Sequence, residues 1–120
     1  MLLCFAIERC AVSPTGDRLY ITSWDKLLTL ARDGTVLAIF RDQFMALLSG
    51  LHVTPAGQVL VCGCQSFTIL QVDWEGKSKL ATLATCMDEV WWPWSVCYSS
   101  TTSSIIVGQW RDNILVIRVE

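Results

Sequence analysis

The sequence predicts an all-β chain organised as a partial β-propeller of about two and a half to three blades, each an antiparallel sheet of up to four strands. Three observations predict it: a self-similar stretch recurring every 40 to 45 residues, short runs rich in branched and aromatic residues, and matching turn chemistry between them. Such a period, filled with short strands, is that of a propeller blade.

The first copy, "AVSPTGDRLYITSWDKLLTLARDGTVLAIF" (11–40), registers on "HVTPAGQVLVCGCQSFTILQVDWEGKSKLATL" (52–83). Val12 answers Val53, Pro14 answers Pro55, Gly16 answers Gly57, Leu27 answers Ile69, Leu30 answers Val72 and Gly34 answers Gly76. The two copies differ by 40 to 42 positions, 41 at the Pro-Gly turn and 42 from Leu27 onward, with the drift between Ile21 and Leu27. A third copy, 96–119, sits at a constant offset of 45 from the second, which aligns Leu60 with Ile105, Gly63 with Gly108, Leu70 with Leu115 and Val72 with Ile117. One domain over residues 1–120 is expected, with approximate repeats 8–49, 50–92 and 93–120.

Within the copies the local signals are those of strands. "RLYIT", "KLLTL" and "TVLAIF" are runs of five to six residues separated by turn residues. "SPTGD" and "TPAGQ" place Pro before Gly, which suits a tight reversal. "RDGT" and "WEGK" put an acidic residue before Gly, where the turn demands positive φ. The single helical candidate is "RDQFMALLSGL" (41–51), whose Phe44, Leu47, Leu48 and Leu51 fall on one helical face and whose Gly50 marks an end. It reads as a connection between blades. A small antiparallel sandwich would also space its strands regularly, but turn residues matched between registered copies favour blades.

These residues resemble the NHL-repeat family of β-propellers, found at the C-terminus of many tripartite-motif ubiquitin ligases. The resemblance is carried by "GLHVTPAG" with "VLV" (50–61), by "VSPTGDRLYIT" with "LLTLARDG" (12–34), and by "IIVGQWRDNILVIRV" (105–119). The chain departs from the family pattern in three ways: the shortened first copy lacks the loop of the signature Asn, "SSTTSS" replaces Pro and Gly in the third copy, and blades are too few to close. The resemblance implies a non-catalytic module that recognises substrates in a ubiquitination context, without a RING domain of its own. Metal-dependent propeller enzymes and RNA-binding propellers are the alternatives it leaves open, beside a degenerate fragment without independent function.

Composition narrows the partners. Apolar residues make up 52%, mean hydropathy is +0.45, and charged residues are 17%, below the roughly 25% of soluble domains. No run approaches the roughly 18 apolar residues of a membrane span. The apolar stretch at 2–7 has no basic residue before it and no cleavage site after it, so a cytoplasmic location is expected. Instead, too few blades leave apolar sheet faces open, which predicts self-association. The net charge of −2 and the scattered Lys and Arg residues disfavour RNA and favour a protein partner. The six cysteines lack zinc-knuckle spacing and read as reduced, small apolar fillers.

No residue carries a catalytic signature. His52 is the single histidine, Asp88 and Glu89 are adjacent acids in a connection, and Asp17, Asp25 and Asp33 lie on separate turns. None of these patterns makes a general acid and base pair or a calcium loop. No cofactor and no metal are expected. In "WWPW" (91–94), Pro93 reads as punctuation before a strand and Trp94 as packing at its start. Trp91 and Trp92, on the connection between blades, and Trp110 and Arg111, on a hairpin rim, are the candidate interaction surface, because Trp and Arg dominate binding hot spots.

Overall fold

The computed structural model describes residues 9–42 and 48–118. They form eleven strands in three antiparallel sheets. The first sheet runs in the order β1 (Arg9–Val12), β2 (Arg18–Ser23), β3 (Lys26–Ala31), β4 (Val36–Phe40). The second repeats it with β5 (Leu48–Val53), β6 (Val59–Gly63), β7 (Thr68–Val72), β8 (Lys79–Ala84). The third has β9 (Pro93–Ser99), β10 (Ser104–Gln109) and β11 (Asn113–Arg118). Each sheet is a meander, so sequence neighbours are spatial neighbours. β1, β5 and β9 lie beside one another at the inner edge.

The turns follow the expected chemistry. Gly34 at φ 91° and Gly57 at φ 89° occupy the left-handed region that residues with a Cβ avoid. Side chains reinforce them: Asp33 accepts from the Thr35 amide at 3.0 Å, and the Thr54 hydroxyl accepts from the Gln58 amide at 3.1 Å.

Two cores fill the spaces between sheets. Tyr20 and Leu27 of the first sheet meet Leu48, Val59, Val61, Leu70 and Val72 of the second. The opposite face of the second sheet gives Leu60, Cys62, Ile69 and Ala84, which meet Val96, Ile105 and Val107 of the third. The middle sheet is thus covered on both faces, and every residue of β6 is buried. That explains why β6 reads as a continuous apolar run while β2 alternates.

Three expectations need correction. The 41–51 helical turn is not what residues 48–51 form: they belong to β5, and Phe44 and Leu47 lie outside the described residues. Gly50 marks a close approach to β9, since a Cβ there would come within 2.8 Å of the Ser95 Cα. The constant offset of 45 fails in the middle strand, because Val59 pairs with Val72 as Ile105 pairs with Ile117. The register of β10 is therefore shifted by one, which puts Ile105 on the face of Val59 and not on that of Leu60. Of the cysteines, Cys62 and Cys64 are buried fillers, while Cys10, Cys86 and Cys97 are exposed. Burial pushes the Cys62 thiol up to about 12, which keeps it protonated and unreactive. The 2–7 run and Cys4 lie outside the described residues.

Candidate functional site

In a four-stranded meander, the hairpin joining the second and third strands and the link to the next sheet emerge at the same end. The turn at 24–25, the turn at 64–67, the link at 85–92 and the 3-10 turn Trp110–Asp112 therefore share one end of the molecule. Five of the six tryptophans gather there: Trp24, Trp91, Trp92, Trp94 and Trp110. The sixth, Trp74, lies in the β7–β8 turn at the opposite end.

Hydrogen bonds fix this rim. The Trp91 amide donates to Gln109 Oε1 at 2.9 Å, and Gln109 Nε2 donates to the Glu89 carbonyl at 3.3 Å. The Gln109 side chain is buried, and both ends of its amide are satisfied within the rim. The Trp110 amide donates to the Trp92 carbonyl at 3.2 Å, and the Ser49 hydroxyl donates to the Pro93 carbonyl at 2.7 Å. Upstream, a capping box at Thr85 and Asp88 orders the link. Glu89, Trp92 and Arg111 have φ of 72°, 45° and 63°, a conformation costly for residues with a Cβ. The rim is tethered on both sides of those residues, and that tethering holds them there.

Aromatic rings give the rim its shape. Phe67 stacks at a tilt on Trp91, with centroids 4.8 Å apart, and meets Trp92 edge-on at 5.3 Å. Trp92, Trp94 and Trp110 line a cleft of about 310 Å³. Trp91 and Trp110 remain about half exposed, at 51% and 47%, and Arg111 is exposed beside them. Of the residues singled out by sequence, Trp91, Trp92 and Trp110 are joined in one network, and Arg111 lies next to it on the same turn. Trp94, which follows Pro93 at the start of β9, lines the cleft, and Phe67 supports Trp91 and Trp92 from the neighbouring sheet. Comparing the copies at this one hairpin would have found Phe67: Trp24, Phe67 and Arg111 are each the left-handed residue of the turn between second and third strands, with φ of 52°, 53° and 63°.

The other candidate groups do not converge. His52 pairs with Leu60 near the end of β5, and burial lowers its pKa. Asp88 and Glu89 are exposed, and Asp88 is occupied in capping. Hydrogen bonds from Thr15 and Ser13 hold the Asp17 carboxyl below the usual range. Among the described residues no three His, Cys, Asp or Glu side chains are grouped so as to hold a metal ion. At the end away from the tryptophan rim, Arg18 lies over the Trp74 ring at 4.5 Å, and the Tyr20 hydroxyl donates to the Trp74 carbonyl at 2.6 Å. That pairing ties the first sheet to the second. Among the described residues no helix is long and apolar enough to cross a membrane.

No protein-family model matches the chain, and no curated protein sequence does. Solved structures do. The chain is similar to hydrazine synthase of Kuenenia stuttgartiensis, with a TM-score of 0.75 at 20% identity over 92% of this chain and 32% of that one. It is similar to the Pan2 WD40 domain of Neurospora crassa, with a TM-score of 0.68 at 17% identity over 85% of this chain and 30% of that one. The Cps50 (Swd1) β-propeller domain of Myceliophteria thermophila gives 0.73 at 10% identity over 92% and 35%. At such identities the likeness establishes the fold: the chain is a partial β-propeller. It spans about a third of the length of the structures it matches.

Proposed function

We propose that this chain is a non-catalytic protein-interaction module of the NHL-like type, with repeats 8–49, 50–92 and 93–120, acting in the cytoplasm. The tryptophan rim is its partner-binding surface: Trp91, Trp92 and Trp110 supply large rigid contact area, and Arg111 supplies a charged anchor. One observation carries the reading, the gathering of five of six tryptophans at one end around an indole-lined cleft of about 310 Å³. Hydrogen bonds fix the backbone of Trp91, Trp92 and Trp110 while the Trp91 and Trp110 side chains stay about half exposed, and a backbone preorganised in this way reduces the entropy lost on binding. The NHL-like repeats support substrate recognition within a tripartite-motif ubiquitin ligase. The net charge of −2 favours a protein over RNA, and the open sheet faces favour association with further copies of the chain.

Quantitative affinity purification from cells expressing tagged variants tests the rim. Trp110→Ala and Arg111→Ala are expected to reduce capture of the principal partner roughly tenfold or more, the range of an interface hot spot. Trp74→Ala, at the opposite end, is expected to leave capture unchanged once corrected for folded protein. Equal capture by all three variants would overturn the assignment. RNase treatment that abolished capture would transfer the surface to RNA.

A further inference from the structure

The pattern of strand pairing shows that the two open sheet faces are the two halves of one repeating interface. Val12 pairs with Leu19 as Val53 pairs with Val59; Leu19 pairs with Leu30 as Val59 pairs with Val72; Ile21 pairs with Leu28 as Val61 pairs with Leu70. The outer face of the first sheet, with Val12, Leu19, Ile21, Leu28 and Leu30, is therefore the counterpart of the middle-sheet face that receives the first sheet. At the far end, Ile106 pairs with Val116 and Gly108 with Ile114, matching Leu60 with Gln71 and Cys62 with Ile69. The outer face of the third sheet is thus the counterpart of the middle-sheet face that packs onto the third sheet.

The described residues use this face-to-face junction twice and leave one half of it on the first sheet and the other half on the third. Val12 and Ile39 are 52% and 54% exposed on one end, and Ile114 and Val116 are 67% and 60% exposed on the other. Ile39 belongs to the first set because it pairs with Leu28. Charge on the strands of these faces stands at strand ends, at Lys26 on β3 and Arg118 on β11, and leaves the centres apolar.

We infer that a second copy of this chain covers these faces head to tail, the third sheet of each copy packing on the first sheet of the other, so that two copies close a six-bladed ring. This rests on the self-association reading above and adds its geometry. The blade count selects the stoichiometry. Two copies of the three described sheets give six blades, within the roughly four to eight of closed propellers, whereas three copies would exceed that range. The junction is heterologous, joining different faces, and it stops growing only because the ring closes.

Sedimentation velocity on the full chain at micromolar concentrations tests this. The expected species has twice the 13.4 kDa chain mass. Ile39→Lys and Val116→Lys place a charge on one half-junction each and touch neither internal core. Each variant alone is expected to weaken the dimer at least about tenfold, because its ammonium would be buried without a partner. An equimolar mixture retains one fully apolar junction, between the third sheet of the Ile39→Lys copy and the first sheet of the Val116→Lys copy. It is expected to recover a two-copy species. Unchanged far-UV circular dichroism establishes that the variants fold. A compact wild-type monomer would overturn self-association itself. A dimer broken by only one of the variants, or a mixture that stays monomeric, would overturn the head-to-tail geometry while leaving self-association standing. Open-ended assemblies would overturn closure.

Discussion

His52 illustrates how placement outweighs residue type. A lone histidine invites a catalytic reading, yet it stands near the end of a strand opposite Leu60, where partial burial sets its proton affinity. Burial lowers its pKa from the ordinary value near 6.5, so between the two values the unfolded chain binds the proton better than the folded one does. Stability is therefore full above about pH 6.5 and declines as pH falls through that value toward the folded pKa. The urea midpoint is expected to be lower at about pH 5.5 than at about pH 7.5, and His52→Gln is expected to flatten that difference. Asp17 and Asp33, whose pKa values are lowered by hydrogen bonds, act in the same direction only in more acidic solution, so the two effects separate. At this scale the sequence was legible in the turn glycines, whose positive φ follows from the lack of a Cβ. It was less legible at Trp92 and Arg111, where a residue with a Cβ holds the same conformation under tertiary constraint.

Among the elements, β5 departs furthest from its local signals. "MALLSGL" carries a helical spacing of apolar residues, yet Leu48–Val53 is a strand. Leu48 donates its amide to the Trp24 carbonyl at 2.8 Å, and Ser49 is anchored to Pro93. Partners remote in sequence decide the conformation, and local propensity is too weak to resist them. Gly50 is where this matters most. A Cβ there would lie 2.8 Å from the Ser95 Cα, 2.9 Å from Cys62 Sγ and 3.0 Å from the Trp94 carbonyl oxygen. Two of these are backbone atoms with no rotamer to escape into. Gly50→Ala is expected to destabilise the chain by about 1–3 kcal/mol, the cost of overpacking, as measured by equilibrium denaturation. Because the Trp94 backbone is among the atoms displaced, the tryptophan rim feels the same substitution.

For the whole molecule, the asymmetry between inner and outer sheets sets the order of stability. The middle sheet is packed on both faces, whereas β4 and β11 each carry exposed apolar residues on the side away from the core. Hydrogen exchange is expected to be slowest in β6 and β7 and fastest in β4 and β11, because opening the middle sheet uncovers two buried faces and opening an outer strand uncovers at most one. Uniform protection across the three sheets would contradict that order. What the sequence determined by itself was the strand content, the turn positions and the blade period, because these rest on local backbone preferences repeated at fixed spacing. It also marked Trp91, Trp92, Trp110 and Arg111, though only as separate candidates. Tertiary structure alone decided that Trp94 and Phe67 join the rim with them, that β10 is shifted by one residue, and that the two open faces are counterparts of faces already paired within the chain. Each depends on which residues stand opposite one another across strands, and a one-residue difference in hairpin length reverses the facing of a strand without altering its local signals.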